Sequence, residues 1–119
     1  MGNIATGDAG EQAAAAHLEA AGYVILARKY RVRPGEIDIV AARGGMLVFV
    51  EVKTRRGNGY GTPAAAVTRD KQRKLAAAAW CYLKEHGKAD RPCRFDVVEV
   101  WLGGAGKPKI NHIENAFGV

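Results

Sequence analysis

Several things are scarce in this sequence, and each scarcity narrows what the chain can be. Among its 119 residues there are two cysteines, Cys81 and Cys93, far apart and in no CxxC arrangement. That spacing excludes a metal knuckle and predicts reduced thiols rather than a disulfide framework. No apolar run reaches the roughly 18 residues of a membrane span. The opening MGNIATGDAG has neither a basic start nor an apolar stretch, so no secretory leader is expected and the chain reads as cytoplasmic. The three histidines, His17, His86 and His112, are scattered and form no ligand pattern. Acids are fewer than bases, 12 against 18, giving a net charge of +6. A polyanionic partner suits that balance.

What is present fits one domain over residues 1–119, with 1–6 a tail and 55–63 a flexible loop. Asp8 with Glu11 three residues later reads as a capping box, starting a helix that stops at Gly22. Strand formers follow at Tyr23–Val32, at EIDIVAAR and at MLVFVEVKT, with Gly44-Gly45 as a two-residue hairpin turn. RRGNGYGTP is a loop by composition. A second helix spans about Thr68 to His86, with Leu75, Ala79, Tyr82 and Leu83 at helical spacing. RFDVVEVWL is a fourth strand and KINHIENAF a last edge strand. The order α-β-β-β-α-β(-β) predicts an α/β or α+β domain with a mixed sheet covered by helices.

The second and third strands carry misplaced charge. GEIDIV has acids at Glu36 and Asp38, and EVK has Glu51 and Lys53, all at alternate positions. Acids are depleted in strands and costly when half buried. If Gly44-Gly45 is the turn, opposed residues have numbers summing to 89, so Asp38 faces Glu51 and Glu36 faces Lys53. Alternation then puts all four on one face with Val40 and Phe49. The other face would hold Ile37, Ile39, Val48, Val50 and Val52 as a continuous apolar surface. Opposed Cβ atoms are about 5 Å apart, and two carboxylates at that spacing call for a cation. A divalent metal held by both would lower the pKa of a bound water, and Lys53 would orient that water or stabilise phosphate charge. The alternative is a solvated sheet face in which Glu36 and Lys53 form a simple ion pair.

These residues resemble a known pattern. Asp38, and thirteen residues on Glu51-Val52-Lys53, are similar to the D…(D/E)xK signature of the PD-(D/E)XK nuclease superfamily. The helix carrying Glu11 resembles that of the archaeal Holliday-junction resolvases within it. GEQAAAAHLEAAGYVILARKYR, GEIDIVA, LVFVEVKTR and RFDVVEV, in that order, resemble the bacterial YraN-like proteins, uncharacterised protein family 0102, from about Gly7 to Leu102. Ile37 stands where many superfamily members have proline. The resemblance implies a restriction-endonuclease-like α/β fold and a Mg²⁺- or Mn²⁺-dependent endonuclease acting on DNA, with branched or structured DNA a possible substrate. It implies Asp38, Glu51 and the Val52 backbone carbonyl as metal ligands, Lys53 as the catalytic lysine, and Glu11 as a further acid touching metal directly or through water. It implies Gln72 as a phosphate contact, a place Lys71 or Lys74 could also fill. Resolving relatives are homodimers, so a homodimer is an expectation here too.

The basic residues gather behind this hairpin. Between positions 51 and 75 stand seven bases (Lys53, Arg55, Arg56, Arg69, Lys71, Arg73, Lys74) against two acids. Cations in a first helical turn oppose the helix dipole unless an anion binds there, so Arg69, Lys71, Arg73 and Lys74 are candidate phosphate contacts. Arg55 and Arg56 with GNGYG could form a flap, Tyr60 stacking on a base. Glu11 could equally serve only its capping box. Asp96 reads as a structural partner of Arg94, and Trp80 and Tyr82 as packing. A different class of function also fits: a nucleic-acid-binding protein that keeps a nuclease-like fold without catalysis.

Overall fold

The computed structural model describes residues 2–56, 67–103 and 106–118, with side chains from residue 7 onward. The elements run α1 (Gly2–Ala20), β1 (Val24–Val32), β2 (Gly35–Arg43), β3 (Met46–Arg56), α2 (Arg69–Glu85), β4 (Cys93–Leu102) and β5 (Lys109–Phe117). The strands form one sheet in the order β1-β2-β3-β4-β5, antiparallel except between β3 and β4. Parallel neighbours need a crossover, and α2 lies in that connection. This five-stranded mixed α/β sheet between two helices is compatible with a restriction-endonuclease-like fold. Residues 57–66 lie outside the described residues, and with them the expected Tyr60 flap.

Local chemistry sets the element ends. α1 closes at Gly22, which takes φ 93°. The Tyr23 amide donates to the Leu18 carbonyl and the Gly22 amide to Glu19, the double closure that a left-handed glycine allows. Gly44 and Gly45 both have positive φ, 57° and 82°, as a two-residue hairpin turn requires. Thr68 caps α2, its hydroxyl accepting from the Lys71 amide at 3.1 Å. The capping box at Asp8 does not form, because α1 runs from Gly2 and passes through that position. Asp8 instead pairs with Lys29 on β1 at 2.8 Å.

Both faces of the sheet are dry, not one. On the α1 side Ala14, Ala15 and Leu18 pack on Ile39, Val48, Val50, Val98 and Val100. On the α2 side Leu75, Ala78, Tyr82 and Leu83 pack on Ile37, Val40, Leu47, Phe49 and Phe95. Two glycines let the helices approach: a Cβ on Gly10 would collide with the Thr54 side chain, and one on Gly35 with the Lys74 carbonyl. The cysteines are free thiols. Asp96 is buried and accepts from Arg94, from His112 across to β5, and from the Asn115 amide, so its expected structural role stands. Tyr82 is core, while Trp80 is 48% exposed.

Candidate active site

The predicted turn register holds where it was counted from and ends before the acids. Arg43 opposes Met46, and the pairing continues through Val40–Phe49 to Ile39–Val50. There the β2–β3 ladder stops. In place of a main-chain partner, the Val52 amide donates to Asp38 Oδ2 at 2.7 Å. A carboxylate thus occupies the gap between the two strands.

The expectation that Ile37 shares a face with Ile39 is overturned. Ile37 packs under α2 and Ile39 under α1. Its neighbours on β1 do the same: Arg28, opposite Ile39, reaches α1, while Tyr30, opposite Ile37, meets Tyr82 of α2 edge to face. Between them Lys29 takes φ 54°, an unusual conformation for a side chain with a Cβ. Both strands slip one step of alternation there, at the level of Asp38.

This slip also undoes the expected Glu36–Lys53 pairing. Glu36 pairs with Arg31 on β1 at 3.2 Å and faces a cleft of about 280 Å³ beside α1, shared with Asp8, Glu11, Lys29 and Asp38. Lys53 opposes Glu99 on β4 instead.

Asp38 and Glu51 do come together. Glu51 is only 7% exposed. Burial, and then the Asp38 carboxylate beside it, push its pKa up to about 7, while Lys71 and Lys53 pull the other way. Burial likewise raises Asp38, with Glu11 and Glu36 adding to the rise and the Val52 amide opposing it. The two acids therefore lack enough positive charge around them. Two hard oxygen donors short of countercharge, beside the Val52 peptide, suit a small divalent cation such as Mg²⁺ or Mn²⁺.

The other predicted residues fall into four groups. Glu11 is buried in the same cleft as Asp38, but its oxygens accept from Arg28 Nε at 2.9 Å and Lys29 Nζ at 3.1 Å. Among the described residues no three His, Cys, Asp or Glu side chains form a metal-ligating group. Lys53, Arg55 and Lys71 gather on the α2 side with Glu51; Lys71 Nζ lies 3.7 Å from Glu51 Oε2. Arg56 and Arg69 are exposed at the end of β3 and the start of α2. Gln72 donates to the Val67 carbonyl at 2.8 Å, and Asp70 holds Arg73 and Lys74 at 3.4 and 3.3 Å.

One buried charge was not anticipated. Glu99 is 1% exposed in β4, with Arg55 Nε at 3.1 Å and Asn111 Nδ2 at 3.0 Å. Its signal was on the page: VVEVW sets a glutamate in an apolar strand just as FVEVK does.

No helix among the described residues is long and apolar enough to cross a membrane. The sequence pattern of Uncharacterised protein family UPF0102 matches residues 10–100. A UPF0102 protein of Symbiobacterium thermophilum is 60% identical over 111 residues, covering 93% of this chain and 94% of the relative. One of Rhodococcus opacus is 50% identical over 115 residues (97% and 98% covered), and one of Geobacter sulfurreducens 50% over 115 (97% and 90%). With the pattern spanning most of the chain and these relatives matching nearly end to end, the protein belongs to family UPF0102.

Proposed function

We propose that the protein is a metal-dependent endonuclease that hydrolyses DNA phosphodiester bonds, with branched or structured DNA as its substrate. The observation that carries this is the opening of the β2–β3 ladder at Asp38, which sets two undercompensated carboxylates beside lysines. Asp38, Glu51 and the Val52 carbonyl would hold Mg²⁺ or Mn²⁺. Bound there, the ion would lower the pKa of a water and offset phosphate charge. Lys53, half-buried and two residues beyond Glu51, presents an ammonium to the attacking water or the phosphoryl oxygens. Lys71, Arg55 and Arg69 supply fixed positive charge for the strand on either side.

The surroundings favour one direction of approach. The α1-side cleft carries Asp8, Glu11, Glu36 and Asp38 against Lys29 and Arg31. Without a bound cation, a polyanion finds little attraction there. It is drawn to the α2 side, where Lys53, Arg55 and Lys71 stand.

A second reading is supported by Glu11. Its carboxylate is already engaged by Arg28 and Lys29, which leaves fewer free acids than a catalytic centre commonly has. In that reading the chain binds nucleic acid without cutting it. Incubating the protein with labelled linear, flap and four-way-junction DNA, with Mg²⁺, Mn²⁺ or EDTA, separates the two. The nuclease cuts only with metal, and Asp38→Asn or Lys53→Ala lowers the rate by at least about 100-fold. Salt-sensitive binding without cleavage on any substrate rejects the nuclease and supports the binding protein.

A further inference from the structure

We infer that Glu99 is a positioning residue for the nucleic-acid strand: its buried carboxylate, tied to Asn111, fixes Arg55 as the grip on a phosphate flanking the Asp38–Glu51 centre. This rests on the proposed function and names a part of it that the site's own acids and lysines do not supply.

Glu99 sits on β4 opposite Lys53, and by alternation it faces the α2 side with Glu51, Lys53 and Arg55. At 1% exposure its carboxylate is dry. A buried charge is unfavourable unless both oxygens are satisfied. Here one oxygen takes Asn111 from β5 and the other takes Arg55 from β3. Stapling three strands together does not require this. Val97 and Trp101, two residues to either side on β4, fill the same layer with apolar groups, and well-packed apolar side chains in place of the whole Glu99–Arg55–Asn111 set would cost little stability or add some. The charge therefore points to what it holds.

What it holds is an arginine aimed outward. Arg55 reaches Glu99 through Nε alone. A guanidinium has five N–H donors, and among the described residues no side chain takes up its two terminal amino groups, which can serve another acceptor. The Arg55 side chain is 31% exposed, enough for those groups to meet solvent. Arg55 lies two residues beyond Lys53, about 7 Å along the strand. An arginine anchored at one end loses little further freedom on binding and offers a planar fork that suits phosphate oxygens. A free lysine at that place would do neither.

The test is binding in EDTA, which needs no cleavage. Labelled duplex and four-way-junction DNA are titrated with wild type, Glu99→Gln, Arg55→Ala and the double variant across a salt series. Thermal unfolding confirms that each variant is folded. Glu99→Gln and Arg55→Ala are each expected to weaken binding roughly tenfold at about 0.1 M salt and to lower the salt slope by about one. The double variant should be no weaker than the single ones. Arg55→Lys keeps the charge and loses the anchored fork, so it should bind nearly as poorly as Arg55→Ala; it also decides the matter if Glu99→Gln does not fold. A folded Glu99→Gln or Arg55→Lys with wild-type affinity and slope overturns the inference and leaves the nuclease reading intact. If wild type binds no DNA in EDTA yet cuts it with metal, this inference fails and the nuclease reading stands; if it neither binds nor cuts, both fail.

Discussion

At the scale of single residues, Glu51 carries a charge the fold does not want. Its pKa of about 7 stands above the ordinary 4.5. The folded chain therefore holds this proton more tightly than the unfolded chain does. The stability it contributes is complete below about pH 4.5 and is lost as pH rises through 7. The difference amounts to about 3 kcal/mol at most. In EDTA the melting temperature should therefore fall between about pH 5 and pH 8. Glu51→Gln should flatten that fall and be the more stable protein at pH 8. Mg²⁺ should raise the wild-type melting temperature at pH 8 and leave the glutamine variant unmoved. A wild-type melting temperature that ignores both pH and metal over this range would remove the argument for a shared cation. Under the proposed function such a site would trade stability for chemistry, as sites with a task commonly do.

At the scale of elements, two glycines decide how closely the helices seat. Gly35 is the sharper case, because a Cβ there would stand 2.8 Å from the Lys74 main-chain oxygen of α2, which no rotamer change can move. Gly35→Ala should push α2 off β2 and cost about 1–3 kcal/mol in chemical denaturation. The nearest atoms that Gly10→Ala would meet all belong to the Thr54 side chain, so Thr54→Ala should recover part of its loss; equal stability of Gly35→Ala and wild type would show that α2 is not held this close. These contacts also mark the limit of reading the chain from its sequence. Seven elements, their order and the hairpin register were legible, because Gly44-Gly45, the apolar alternation and the helical spacing are local signals. The break at Asp38 was not. It depends on a left-handed Lys29 in the neighbouring strand and on an aspartate replacing a main-chain acceptor, and neither has a local signature. That one slip moved Ile37 to the other core and gave Glu36 to Arg31 instead of Lys53. The capping box failed for a related reason: a short-range pattern at Asp8 was outweighed by helix continuing on its N-terminal side.

At the scale of the whole molecule, the net charge of +6 matters less than where it lies. Acids line the cleft beside α1, and bases stand around Glu51 on the α2 side. Were net charge alone responsible for nucleic-acid binding, any removed cation would count equally. Screening argues otherwise, since at about 0.15 M salt the field of a charge fades over about 8 Å. Arg69→Glu and Lys107→Glu change the net charge by the same amount. Arg69 is exposed in the first turn of α2, where an acid also suits the helix dipole, so folding should not suffer. Lys107 is exposed beside His17 of α1, on the opposite side of the sheet. Arg69→Glu should weaken DNA binding by about tenfold or more at that salt, and Lys107→Glu by less than about threefold. Equal losses would mean that the protein meets DNA as a diffuse cation, and the α2-side approach to Asp38 and Glu51 would have to be given up.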